Sequence, residues 1–135
     1  MQDDDGLRPN HDAIDRTVLA DLCGGDQAFE RRILANFANA VRTDAQRLRA
    51  AVESREMNNV SRVAHSIKGA SRTVGAYDLG HVCERIEQAG RVADAANVQA
   101  SLAAFEREVA RAESCIESIL GPDAADLSAA GKGSR

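Results

Sequence analysis

Four residues in one stretch, VAHSIKGASRTVGA from Val63 to Ala76, have the types and spacing to do chemistry together: His65, Lys68, Gly69 and Arg72. Histidine is the side chain whose unperturbed ionisation lies nearest neutral pH, so its ring can act there as a nucleophile. A lysine at i+3 and an arginine at i+7 share its helical face and would attract phosphoryl oxygens. Glycine at i+4 weakens a helix by about 1 kcal/mol against alanine, and it clears a side chain from beside the ring. The chemistry this combination suits is capture of a phosphoryl group brought by a bulky partner.

The helix that must hold them carries Val60, Val63, Ile67, Ala70 and Val74 at alternating spacings of 3 and 4. At about 100° per residue, the centre of that stripe lies roughly 180° from His65, which puts the ring on the solvent face. Asn58, Ser61, Arg62, Lys68, Gly69 and Arg72 fall within roughly 60° of it. These basic neighbours disfavour a further positive charge on the ring, which is then expected to be neutral. An exposed histidine among basic residues is by itself usually a solvated face. The lysine and glycine at fixed offsets, opposite a clean apolar stripe, point instead to a site.

The rest of the chain supplies a helical frame. With 135 residues, 44% of them hydrophobic and 28% charged, the chain suits one folded, soluble domain of 13–120. Residues 1–12 read as a polar, acidic tail or linker, and 121–135 as a disordered tail. Ile14, Val18 and Leu22 suggest a short helix that ends at CGGD. Asp26 can cap a long helix with Phe29, Ile33, Phe37, Val41, Leu48 and Val52 on one stripe. After SREMNN comes the histidine helix, with Gly75 as its left-handed cap. A third long helix carries Leu79, Cys83 and Ile86 and is expected to end at Gly90. Asp94 opens the last, with Val98, Leu102, Phe105, Val109, Ala112, Ile116 and Ile119, and Gly121-Pro122 stops it. Short turns between amphipathic helices favour an all-α, antiparallel four-helix bundle with the first short helix as a lid, over a coiled coil.

Composition narrows function further. A net charge of −4 argues against a nucleic-acid binder. No apolar run approaches the 18 or so residues that span a bilayer, so no membrane contact and a cytoplasmic location are expected. Cys23, Cys83 and Cys115 form no CxxC pair and read as small hydrophobes.

The residues AHSIKGASRTVGAYDLGHVCERIEQAGR resemble the signature of the histidine-containing phosphotransfer (HPt) domain of bacterial two-component phosphorelays. The matching positions are Ala64-His65, Ile67, Lys68-Gly69, Val74-Gly75-Ala76, Leu79, Cys83 and Ile86-Glu87, and GGDQAFERRILANF upstream is also typical. The resemblance covers about residues 14–120; EMNN stands where an aspartate is common before the histidine helix. It implies a four-helix bundle with His65 as phosphoacceptor and Lys68 orienting and neutralising the phosphoryl group. Gly69 would clear the docking surface, to which Arg62 and Ser66 add contacts, and Arg72 is a second phosphoryl-stabilising cation on the helical wheel. The implied role is a reversible carrier that takes the group from a receiver-domain aspartate and gives it to another receiver. The partners would be response-regulator receivers, one of a hybrid sensor kinase and one of a downstream regulator. The chain would be a monomer, either free-standing or the terminal module of a hybrid kinase. It would need no cofactor of its own, with Mg²⁺ held on the receiver.

Three rival readings fare worse. A sensor-kinase dimerisation domain places an acidic residue directly after its histidine and a proline soon after. Here Ser66 follows His65, and 66–75 contains no proline. A di-metal bundle needs Glu-x-x-His pairs facing the core, whereas His11 lies in the tail and His81 has no partner histidine, so no metal site is expected. An adaptor that keeps only the fold has no need of His65 and Lys68. No Gly-rich nucleotide loop is present, so the chain reads as a phosphocarrier and not a kinase.

Overall fold

A computed structural model describes residues 13–121. The expected tail at 1–12, and all of the expected C-terminal tail but Gly121, lie outside the described residues. Five helices are present among the described residues: α1 Arg16–Cys23, α2 Gln27–Glu53, α3 Met57–Val74, α4 Tyr77–Arg91 and α5 Ala95–Leu120. α2 to α5 form the antiparallel bundle, and α1 packs across α2 and α3. No helix among the described residues is long and apolar enough to cross a membrane.

Local signals start and stop these helices. Asp15, Asp26 and Asp94 accept hydrogen bonds from Thr17 N, Phe29 N and Asn97 N, each satisfying a backbone donor that the helix leaves orphaned. α3 has no such cap: Glu56 stands at its start without a side-chain bond. Gly75 closes α3 in the left-handed conformation (φ 84°). A Cβ there would also lie 2.7 Å from the Asp15 carbonyl oxygen, because the α1 approach crosses directly over it and Asp15 N donates to Gly75 O at 2.9 Å. Glycine is required at this position twice over.

The core runs through all four long helices, with Leu34, Leu48, Val60, Ile67, Leu79, Cys83, Ile86, Val98 and Phe105 fully enclosed. Along the outer seam of α2 and α5, Arg49 holds Glu106 through two bonds of 2.6 and 2.7 Å. At the far end Arg31 donates to the Ile119 and Leu120 carbonyls, which satisfies acceptors at the end of α5.

Several expected positions moved. Leu22 and Phe29 are exposed, while Leu19 and Cys23 face inward from α1 and Leu34 and Ala45 complete the α2 stripe. The short α1 buries its face against two helices at once, which a single stripe does not describe. On α3 the fully buried residues are Val60, Ala64, Ile67, Ser71 and Val74, with Val63 and Ala70 at the edge. That rotates the buried face by roughly 40° towards α4 relative to the apolar stripe. α4 does not end at Gly90 but runs to Arg91, and Ala93 takes the left-handed conformation beyond it (φ 57°). Gly90 is instead buried against Met57, Val60 and Ser61 of α3.

Candidate functional site

The rotation of α3 decides the site. His65 remains outward, its side chain 66% exposed, but it leans to the α4 flank instead of standing opposite the core. There Nδ1 lies 2.9 Å from Oε2 of Glu87, a carboxylate that is only 5% exposed. Lys68, one turn further along α3, reaches the other oxygen: its Nζ is 2.6 Å from Glu87 Oε1 and its side chain is 17% exposed. Arg91, one turn beyond Glu87 on α4, donates to Oε2 at 2.8 Å. One buried carboxylate therefore gathers a histidine, a lysine and an arginine.

Burial works against the charged form of Glu87, but hydrogen bonds from Lys68 and His65, with their charges, outweigh it and hold the carboxyl below its ordinary value. An ionised carboxylate only accepts hydrogen bonds, so Nδ1 of His65 must be the donor. In the neutral ring the other nitrogen, Nε2, then carries the lone pair. One turn before Glu87, burial pushes the Cys83 thiol up to about 12, with the Glu87 charge adding to the rise and Lys68 opposing it. That thiol stays protonated at neutral pH and takes no part as a nucleophile.

The remaining expected residues separate into two groups. Gly69 and Ser66 are exposed beside His65, and a Cβ at Gly69 would meet nothing within 4 Å. Arg62 is exposed and its nearest bond is a long one of 3.5 Å to Asn59 on its own helix. Arg72 does not join the histidine: it pairs with Glu84 of α4 at 2.5 Å. The expected cationic stripe is thus largely neutralised, since α4 brings Glu84 and Glu87 against two of its three bases. Glu87 and Arg91 are the site residues that sequence reasoning left without a role. The signal for Glu87 was a carboxylate inside the apolar stripe of Leu79, Cys83, Ile86 and Gly90. Among the described residues no group of three or more His, Cys, Asp or Glu is placed to hold a metal ion.

Fold and site together define a helical bundle that displays His65 outward, its Nδ1 held by a buried carboxylate. Comparisons with known proteins bear on the family and the fold. The sequence pattern of the Hpt domain matches residues 32–115, more than half of the chain. Multistep phosphorelay regulator 1 of Schizosaccharomyces pombe is 29% identical over 94 residues, which cover 67% of this chain and 32% of that protein. The chain thus spans about a third of that relative's length. The crystal structure of histidine-containing phosphotransfer protein B from Pseudomonas aeruginosa superimposes with a TM-score of 0.74 at 25% identity, covering 82% of this chain and 95% of that one. The chain belongs to the Hpt domain family.

Proposed function

We propose that His65 is the phosphoacceptor and that Nε2 is the atom that bonds phosphorus. The observation that carries this reading is the 2.9 Å contact between Nδ1 of an exposed histidine and a buried carboxylate. In the accepting direction, the Nε2 lone pair attacks the phosphorus of an aspartyl phosphate on a receiver domain. The Nε2–P bond forms as the P–O bond to the aspartate breaks, and the aspartate leaves with that electron pair as a free carboxylate. The ring becomes positive, and Glu87 is already in place to stabilise that charge at Nδ1–H. Donation to a second receiver is the same step reversed.

Lys68 and Arg91 have two parts to play in this reading. At rest they keep Glu87 ionised and fixed. Both share a carboxylate with the ring, so they also stand beside the place where phosphoryl oxygens arrive. Gly69 leaves open surface one turn from the ring, and Ser66 and Arg62 flank it as contacts for the receiver. Arg72, engaged with Glu84, has a lesser share. Most of the rate comes from in-line positioning and charge stabilisation, for which a rigid helix face suffices. The Mg²⁺ that such a transfer uses belongs to the receiver, and the chain itself acts as a carrier between receivers of an upstream hybrid kinase and a downstream regulator.

Incubation with a receiver phosphorylated on its aspartate tests this directly. The label should move to this chain, survive alkali, be lost in acid as a phosphoramidate is, and map to His65. His65→Gln should fold with the same helix content and take no label. Label on Ser66 or His81 would overturn the assignment.

A further inference from the structure

Gly90 lies in the last turn of α4, buried where that helix crosses the first turns of α3. A Cβ at this position would stand 3.0 Å from Ser61 N, 3.1 Å from Met57 O and 3.2 Å from Val60 Cγ1. Two of these atoms are helix backbone and cannot rotate away, so the helices would have to part by a few tenths of an ångström. The other α4 glycine on this face differs. A Cβ at Gly80 would meet the flexible Arg72 side chain first, with Cγ at 3.4 Å, an ordinary contact. The crossing without room is therefore at the Glu87 end of α4.

Its position relative to the site gives it a consequence. Glu87 precedes Gly90 by three residues and His65 follows Ser61 by four, so each is one turn from the crossing. A helix moves as a stiff element over one turn, and parting α3 from α4 at Gly90 carries Glu87 away from His65. The contact at risk is the one of 2.9 Å to Nδ1, and an N–H···O bond weakens beyond about 3.2 Å. Glycine is a poor helix former. Its place inside α4 is accounted for by this close approach, not by a turn.

We propose that Gly90 is a positioning residue for His65: by letting α3 and α4 touch backbone to backbone, it keeps Glu87 within hydrogen-bond reach of Nδ1. This rests on the reading of His65 as phosphoacceptor. The test compares Gly90→Ala with Gly80→Ala in the full chain. Two quantities are read: the rate of phosphoryl transfer from a phosphorylated receiver, and the ¹⁵N resonances of the His65 ring. A displacement of a few tenths of an ångström should slow transfer by roughly three- to tenfold. The Nδ1–H signal should move towards that of a ring without a carboxylate partner. Gly80→Ala should leave both as in the wild type, and so should Leu34→Ala, which loosens the α2 core away from the site. In a Glu87→Ala background, which leaves no bond to Nδ1 to lose, Gly90→Ala should slow transfer little further.

Wild-type ring signals and rate in Gly90→Ala would overturn the proposal. So would a slowing that persists in full when Glu87 is already alanine. Should Gly90→Ala fail to fold, the double variant with Val60→Ala is measured instead. If that too unfolds, the crossing does not yield by tenths of an ångström and the proposal falls. Should wild-type protein take label at a residue other than His65, the functional reading fails instead, while the ring resonances still report on Gly90.

Discussion

Glutamine at position 87 would keep the shape of the side chain and remove its charge. Its amide oxygen can still accept from Nδ1 of His65, but as an ordinary hydrogen bond and not a charge-assisted one. Bonds to charged groups contribute about 1.5–3 kcal/mol and neutral ones about 0.5–1.5, so the difference is about 1 kcal/mol. That difference is felt most in the transition state, where the ring becomes positive. At tenfold per 1.36 kcal/mol it corresponds to a fall of roughly fivefold in transfer rate. Solvent around a ring that is 66% exposed screens the charge and argues against a much larger effect. Stability should fall as well, because Lys68, only 17% exposed, loses its counter-charge. About 1–2 kcal/mol is expected, below the usual cost of breaking a fully buried pair because Arg91 and His65 are open to water. The same carboxylate sets an acid limit. Its native ionisation lies below the ordinary value near 4.5, so as pH falls the unfolded chain takes up the proton first. The stability it contributes is present above that value and is lost as pH falls through the native one. Urea melts at pH 5 and pH 3, with transfer rates at pH 7, check both halves. An unchanged rate together with an unchanged acid slope in Glu87→Gln would refute the role given to this carboxylate.

Gly69→Leu should remain folded to within about 1 kcal/mol, since a side chain there points into open space, yet transfer from a receiver should be slowed at least tenfold. Equal rates would remove Gly69 from the docking surface. Gly75→Ala should lose about 2–4 kcal/mol in thermal melts, from a left-handed alanine and from pressing on the Asp15 carbonyl. A loss under 1 kcal/mol would show that α1 moves aside freely. Ala93→Gly should stabilise the protein by about 1 kcal/mol, because alanine is held at φ 57° in the turn after α4; a destabilised variant would contradict that turn. Arg72→Ala should slow transfer less than twofold, its guanidinium being engaged by Glu84. A larger effect than that of Lys68→Ala would return Arg72 to the site.

Much of the site was legible because its first half lies on one helix. A stripe of apolar residues fixes which way a helix faces, and the outward position of His65 and the exposure of Gly69 and Ser66 follow from it. Caps are equally local, which is why Asp26, Asp94 and Gly75 could be read in place. Interhelical geometry is not carried by such a stripe. The shift of the buried face to Ala64 and Ser71 depends on small residues that let α4 approach closely, and hydrophobicity does not weigh them. Glu87 escaped for the same reason: it belongs to another helix, and its role exists only once that helix is packed. Gly90 was misread as a stop because a glycine after an apolar run is as often a terminus as a contact. What separates the two is the backbone of Met57 and Ser61 across the interface.

Every atom placed at the site comes from α3 and α4, residues 57–91, which form one helical hairpin. The long pair, α2 and α5, donates none of the groups bonded to Glu87. Chemistry and endurance are thereby assigned to different parts of the chain. Substitutions in the α2 and α5 core are expected to act on stability first, which melts of Leu34→Ala would check. The hairpin's two halves lie close in sequence, so the contacts that join His65 and Lys68 to Glu87 are among the least dependent on chain closure over long distances.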